Sequence, residues 1–98
     1  MSIRDLRYIV ALADTLNFHS AARRCCVSQS TLSIQVRKLE EYLGVPLFER
    51  DRTHVEITRM GRQAVELARI AVDAYDDMRR LARKRRAPAL ATLRRAAD

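Results

Sequence analysis

Apolar residues recur along most of this chain at intervals of three and four, which is the period of an amphipathic helix. This pattern is clearest between Val27 and Gly44. It also predicts a first helix over residues 3–16 and a short second helix over residues 18–26. The apolar positions of the central stretch are Leu32, Val36, Leu39 and Leu43. The chain therefore begins with three predicted helices.

The connection between the second and third predicted helices is very short. Ser28 is a suitable N-cap for the third helix, and Asn17 is a suitable N-cap for the second. Gly44 follows the last apolar residue, where a helix often ends in a left-handed conformation. Ala21 and Ala22 are small enough to let another helix approach closely. Two helices joined in this way are typical of a helix-turn-helix.

After Gly44 the pattern changes from helical to β-prone. Pro46 interrupts helical continuation, and two short runs, residues 47–50 and 54–57, flank a polar turn. We interpret them as a two-stranded hairpin, or wing. Its cations Arg50 and Arg52 are long enough to reach a DNA minor groove, although an ordinary solvated turn would also carry such residues.

A long final helix is predicted from Arg59 to about residue 86, with Thr58 as its N-cap. Its length would be about 42 Å, more than a small domain can cover, so part of its apolar stripe must face another chain. Pro88 is expected to end or kink the helix. The predicted divisions are a winged helix-turn-helix over 1–58, a linker or dimerisation helix over 59–87 and a tail over 88–98. The predicted dimer contacts are Leu67, Ala68, Ala71, Tyr75 and Met78.

The outer face of the central helix starts with short hydrogen-bonding side chains and ends with cations. A DNA-reading helix needs this order, because small polar groups at its N-terminal end reach base edges and later cations meet phosphates. A solvated helix face without function is the alternative. The residues of this face are Gln29, Ser30, Ser33, Ile34, Arg37 and Lys38.

Composition and charge narrow the class of protein. The chain has 98 residues, of which 48% are hydrophobic and 32% charged, which suits one small helical domain. The net charge of +7 favours a polyanionic partner.

The adjacent Cys25 and Cys26 suit neither a disulfide nor a zinc site, and we expect one buried and one half-exposed structural thiol. No phosphate loop, metal-spaced cluster or catalytic triad is present in the sequence, so we expect neither enzymatic activity nor a cofactor.

The N-terminal residues carry charges where a signal peptide would be apolar, and no apolar run reaches membrane-spanning length. We therefore expect a cytoplasmic protein without a membrane partner. We also expect no small-molecule effector site and no redox response, because so short a chain leaves little room for a pocket. Two cysteines adjacent on a helix would also diverge.

Residues 6–50 resemble the N-terminal DNA-binding domain of LysR-type transcriptional regulators, and the similarity extends ungapped over roughly residues 3–85. Within the family, OxyR-like members are most similar. The motifs that carry the resemblance are Phe18 with Ala21 and Ala22, Val27-Ser28-Gln29, Leu32-Ser33, Leu39-Glu40, Leu43-Gly44, Leu47-Phe48-Glu49-Arg50 and Thr58 with Gly61.

The resemblance implies a winged helix-turn-helix whose linker helix pairs antiparallel with a second copy, so that a homodimer binds an interrupted dyad in promoter DNA. It assigns base contacts to Gln29, Ser30, Ser33 and Ile34. It assigns phosphate contacts to Ser28, Thr31, Arg37 and Lys38, and His19 is a weaker candidate for such a contact. In the wing it assigns DNA contacts to Arg50 and Arg52.

The sequence departs from the family pattern at several positions. Ser30 stands where proline is common, and Ile34, where arginine is frequent, offers only apolar contact. The wing arginine often lies one residue beyond Arg52. Family members continue into a large effector-binding domain. The sequence after residue 86 shows no β-strand of such a domain. We expect an excised fragment, a truncated product or a free-standing DNA-binding unit.

Two other functions fit some of these features. A dimerisation module could act by titrating a full-length regulator, but it would not need the polar face of the central helix. A basic amphipathic segment over residues 79–95 could bind an anionic membrane, although no Trp accompanies its cations.

Overall fold

The computed structural model describes the backbone of residues 1–97 and the side chains of residues 1–85. Four helices and one antiparallel hairpin form the chain, which confirms the predicted all-α fold with a small β-wing. The elements are α1 (Ile3–Thr15), α2 (Phe18–Arg24), α3 (Gln29–Leu43), β1 (Phe48–Arg50), β2 (Val55–Ile57) and α4 (Arg59–Ala97). In the hairpin, Phe48 pairs with Ile57 and Arg50 with Val55.

The predicted helix caps are confirmed. The Ser28 hydroxyl accepts from the Thr31 amide at 3.1 Å, and the Asn17 side chain accepts from the Ser20 amide at 2.8 Å. The Thr58 hydroxyl accepts from the Gly61 amide at 2.9 Å. Each bond satisfies an amide that the first turn of a helix leaves without a partner. Gly44 ends α3 in the left-handed region, with φ 77°.

The core lies where α1, α2 and α3 meet the N-terminal half of α4. Its largest fully buried side chains are Ile9, Leu12, Leu32, Val36 and Leu47. Val65 and Ala68 of α4 belong to the same core. This packing fixes α3 with its polar face turned outward.

Two ion pairs join α1 to α4 and show that the helices run antiparallel. Arg7 donates to Asp76 with an Nη2–Oδ1 distance of 2.5 Å. Asp14 pairs with Arg69 and, at 3.3 Å, with Arg24. The hydrogen bond from Arg69 holds the pKa of the Asp14 carboxyl below its ordinary value, and the bond from Arg7 does the same for the pKa of Asp76.

These pKa shifts predict a loss of stability in acid. A carboxyl whose pKa is lower in the folded chain than in the unfolded chain stabilises the fold at pH values above its unfolded-state pKa, near 3.9. That contribution disappears as the pH falls through the folded-state pKa. We expect Asp14→Asn to lower the urea midpoint at pH 7, and the difference from wild type to shrink below about pH 4. Glu41→Gln, which alters an exposed acid with no ion pair among the described side chains, serves as the control. A difference between wild type and Asp14→Asn that persists unchanged at pH 3 would contradict the prediction.

The turn of the helix-turn-helix contains both cysteines. The sequence predicted that α2 would reach Cys26, but it ends at Arg24, so the argument that two helical thiols must diverge was wrong. The expectation of one buried and one half-exposed thiol was wrong, because Cys25 is half-buried and Cys26 is exposed. Burial raises the pKa of the Cys25 thiol. Cys26 has φ 58°, in the left-handed region that disfavours a side chain.

We expect Cys26→Gly to raise the free energy of unfolding by about 1 kcal/mol, because glycine adopts this conformation without a Cβ clash. Cys26→Ala removes the thiol and keeps the unfavourable φ, so it should give no such gain. Urea denaturation followed by circular dichroism measures both. Equal stability of the glycine and alanine variants would mean that the backbone of this turn carries no strain.

Pro88 was expected to end or kink the helix. Helix α4 continues to Ala97, so the first of these two alternatives is wrong. A proline removes one backbone donor, and the helix continues despite that loss. No helix in residues 1–97 has the length and apolar character needed to cross a bilayer.

Candidate nucleic-acid interface

Helix α3 presents two parallel rows of side chains outside the core. Gln29, Ser33 and Arg37 form one row at intervals of four residues, and Ser30, Ile34 and Lys38 form the second. Ser33 is half-buried, and the other five are exposed. Both rows run from short polar side chains at the N-terminal end to a cation. The α3 surface that the sequence singled out is thus accessible to a partner.

The first row lines a groove of about 420 Å³ between α3 and the wing, which we define as residues 48–57. His19 enters the groove from α2, and Arg52 enters it from the tip of the wing. The fold therefore brings together polar and cationic side chains from three separate segments. The row of Ser30, Ile34 and Lys38 lies on α3 outside this groove.

Ser28 and Thr31 differ in what they can still donate. The Ser28 hydroxyl donates to Thr31 Oγ1 at 2.8 Å while it accepts from the Thr31 amide. The single proton of Ser28 is therefore used within the cap. The Thr31 hydroxyl keeps its own proton, so it is the better donor to a phosphate at the N-terminus of α3.

Arg52 is the exposed cation at the tip of the wing. The neighbouring Asp51 carboxylate accepts from the Thr53 amide at 2.9 Å, and this bond lowers the pKa of the Asp51 carboxyl. His54 contacts Glu56 at 2.9 Å on the same hairpin. Since Asp51 is engaged inside the turn, it does not pair with Arg52 among the described side chains.

Arg50 lines the same groove as Arg52, but its guanidinium is engaged within the chain. Its Nη2 donates to Glu40 Oε1 at 2.7 Å, and its guanidinium lies 5.0 Å from the centre of the Phe18 ring. The side chain is 25% exposed. Sequence reasoning missed Glu40 as the partner, because ten residues and a change of element separate the two positions.

The predicted dimer contacts on α4 divide into two sets. Ala68 is 2% exposed within its own core, so it is not available to a second chain, and its assignment to the interface was wrong. Leu67 and Met78 are each 68% exposed, Tyr75 is 39% exposed, and Ala71 is half-buried. Sequence reasoning missed the exposed Ile70 and Leu81, although both lie at helical spacing from Leu67 and Met78. We call Leu67, Ile70, Met78 and Leu81 the open face of α4.

An open groove of about 570 Å³ lies beside α1, lined by both cysteines together with Arg7, Asp14 and Val72 among other residues. So short a chain was expected to leave little room for a pocket, and this open groove is more room than that expectation allowed. The absence of a small-molecule effector remains a prediction that rests on the sequence.

A helix-turn-helix followed by a two-stranded wing, with a polar outer helix face beside a wing cation, defines a winged helix-turn-helix of the DNA-binding class. Comparison with known proteins places the chain within this class. The chain belongs to the LysR family of bacterial regulatory helix-turn-helix proteins, whose family model matches residues 3–62. This is a family of transcriptional regulators and not of enzymes.

Two curated relatives illustrate the similarity. The HTH-type transcriptional regulator EstR of Acinetobacter baylyi is 46% identical over 87 residues, which are 89% of this chain and 29% of EstR. The DNA-binding transcriptional dual regulator OxyR of Escherichia coli K12 is 54% identical over 69 residues, which are 70% of this chain and 23% of OxyR. The predicted similarity to OxyR-like members is confirmed. The chain spans about a quarter of the length of these relatives.

Among solved structures, the crystal structure of a BenM_DBD/catB site 1 DNA complex matches with a TM-score of 0.80 and 34% identity. The match covers 86% of this chain and 94% of that chain. The fold described above is thus shared over nearly the whole of a domain that was crystallised with DNA.

Proposed function

We propose that this chain is the double-stranded DNA-binding part of a LysR-type transcriptional regulator and that it binds an interrupted dyad in promoter DNA as a homodimer. The observation that carries the proposal is the groove between α3 and the wing. There Gln29, Ser33 and Arg37 lie beside His19 and Arg52 on one accessible surface. Polar groups that can read base edges and cations that can meet phosphates are the two requirements of sequence-specific binding.

The open face of α4 supports a homodimer. It lies opposite the side of α4 that packs on α1, and it exposes large apolar side chains within a single chain. A continuous apolar row of this kind on a helix that extends beyond its own domain is typical of a helix–helix interface. The second copy would cover it.

The charges beside the open face favour antiparallel pairing of the two α4 helices. One flank of the open face carries three acidic residues followed by two cations. These residues share a flank because they are separated by seven, four or three positions along the helix, and they are Glu66, Asp73, Asp77, Arg80 and Lys84. In an antiparallel pair each flank meets the same flank of the partner helix, so the segment with Glu66, Asp73 and Asp77 would face the segment with Arg80 and Lys84. Parallel pairing would lack this complementarity.

Selection of bound sequences from random duplex DNA by the purified chain tests the function. We expect enrichment of two half-sites related by a dyad and separated by unselected bases. Enrichment of a single half-site would contradict the homodimer, and no enrichment would contradict sequence-specific binding. A chain that binds promoter DNA acts in the cytoplasm of a bacterium, as the sequence led us to expect.

Base contacts and phosphate contacts are expected to separate experimentally. Gln29→Ala should relax the preference at one base position of each half-site, by roughly 1–3 kcal/mol. Arg37→Ala should weaken all sequences alike and flatten the salt dependence of the affinity by about one unit. Titrations of specific and random DNA at several salt concentrations measure both effects. Equal losses on specific and random DNA for Gln29→Ala would refute its assignment as a base reader.

A further inference from the structure

A largely buried carboxylate joins helix α3 to the first residues of the wing. The Glu40 side chain is 11% exposed. Its Oε2 accepts from the backbone amides of Leu47 at 2.7 Å and Phe48 at 3.2 Å, while its Oε1 accepts from Arg50. One side chain of the DNA-facing helix thus holds three donors at the start of β1.

Arg50 extends the same connection to α2. Its guanidinium lies over the ring of Phe18, the first residue of α2, and bonds Glu40 of α3. Its Nη1 is buried and has no partner among the described side chains. Because an unsatisfied buried donor is unfavourable, the ion pair with Glu40 and the stacking on Phe18 must hold the guanidinium there.

The wing has few other means of keeping its orientation. Its strands have three residues each and pair only with one another, and an isolated hairpin of that size is marginal in water. Phe48 lies in the core, and Val55 and Ile57 of β2 pack against it. Near the tip, Arg50 pairs across the hairpin with Val55 and reaches back to α3. Arg52 lies two residues beyond this contact.

We propose that Glu40 and Arg50 are positioning residues for DNA recognition, which hold the wing so that Arg52 meets the DNA in register with α3. Their ion pair acts on DNA recognition by holding the wing in place. The inference rests on the proposed DNA-binding function and deepens it, because it makes the wing and the reading helix one rigid recognition surface.

A double-mutant cycle tests the coupling on a DNA site selected by the wild-type chain. Arg52→Ala alone should lower the affinity about tenfold, which corresponds to 1.4 kcal/mol. In an Arg50→Met background, where methionine keeps an apolar side chain against Phe18, Arg52→Ala should cause less than about a twofold further loss. Arg37→Ala, on α3, is the control and should cause the same loss in both backgrounds. Independent losses for Arg50→Met and Arg52→Ala would overturn the proposal.

Hydrogen exchange of the protein alone gives a second test that needs no DNA. The Asp51 amide bonds the His54 carbonyl at 2.9 Å at the tip of the wing. We expect Arg50→Met to speed exchange at Asp51 and not at core amides such as that of Leu12. Glu40→Gln, which keeps an acceptor for the Leu47 amide and loses the ion pair, should do the same.

Unchanged exchange in the wing of both variants would overturn the positioning role. If the wild-type chain selected no DNA sequence, the proposed function would fail, and the exchange measurement would still decide whether Glu40 and Arg50 hold the wing.

Discussion

Replacing Gly61 with alanine is expected to lower the free energy of unfolding by at least about 3 kcal/mol. An alanine Cβ at this position would lie 2.0 Å from the Leu47 carbonyl oxygen and 2.8 Å from Cγ1 of Ile57. The Leu47 carbonyl cannot move away cheaply, because it accepts from the Thr58 amide at 2.9 Å. The first turn of α4 therefore approaches the backbone before the wing closely enough to require a glycine.

The other glycine of the chain provides a matched control. Gly44 has φ 77°, and a Cβ built on it would meet no atom within 4 Å, so Gly44→Ala should cost only about 1 kcal/mol of backbone strain. Denaturation of both variants in urea, followed by circular dichroism, gives the comparison. Helix propensity alone predicts the opposite sign for Gly61→Ala, a gain of about 1 kcal/mol. A Gly61→Ala protein as stable as wild type would show that α4 does not pack as described.

The second large effect is expected on assembly. Leu67→Asp combined with Met78→Asp should convert the proposed dimer to a monomer, because each aspartate would bury an unpaired carboxylate in the interface. Both side chains are mostly exposed within one chain, so the monomer should keep its helical circular dichroism. Ala68→Asp is the contrasting variant, since Ala68 lies in the chain's own core and its substitution should unfold the protein. Sedimentation measures the mass, and a double variant that stays dimeric would place the interface elsewhere.

Charge reversal tests the direction of pairing in the same assay. Glu66→Lys with Asp73→Lys should weaken the dimer, and so should Arg80→Glu with Lys84→Glu. An equimolar mixture of the two double variants should form a heterodimer, because antiparallel pairing then brings opposite charges together again. Failure of the mixture to associate better than either variant alone would argue against antiparallel pairing.

Most of the fold could be predicted from the sequence because its signals are local. The helical period, the caps at Asn17, Ser28 and Thr58, and Gly44 at the end of α3 act within a few residues of the chain. The polar order along α3 and its family resemblance together selected the DNA-facing surface. The structure brings Gln29, Ser33, Arg37, Arg50 and Arg52 of that set to one groove.

Other features could not be predicted from the sequence, because they depend on residues that are distant along the chain. Arg50 and Arg52 look alike in sequence, but only Arg50 lies within reach of Glu40 and Phe18. Ala68 and Leu67 are adjacent members of one apolar pattern, but of the two only Ala68 is buried in the chain's own core. Nothing local shows that Gly61 lies against the backbone at Leu47.

The sequence by itself thus determined the elements, their order and the helix whose polar face is available to DNA. Only the tertiary structure decided which apolar residues of α4 belong to its own core, which wing cation remains exposed and which glycine is indispensable. The physical reason is that the apolar stripe of α4 is wide enough to serve two partners. Which part of it stays open depends on where α1 packs, and that contact joins residues more than fifty positions apart along the chain.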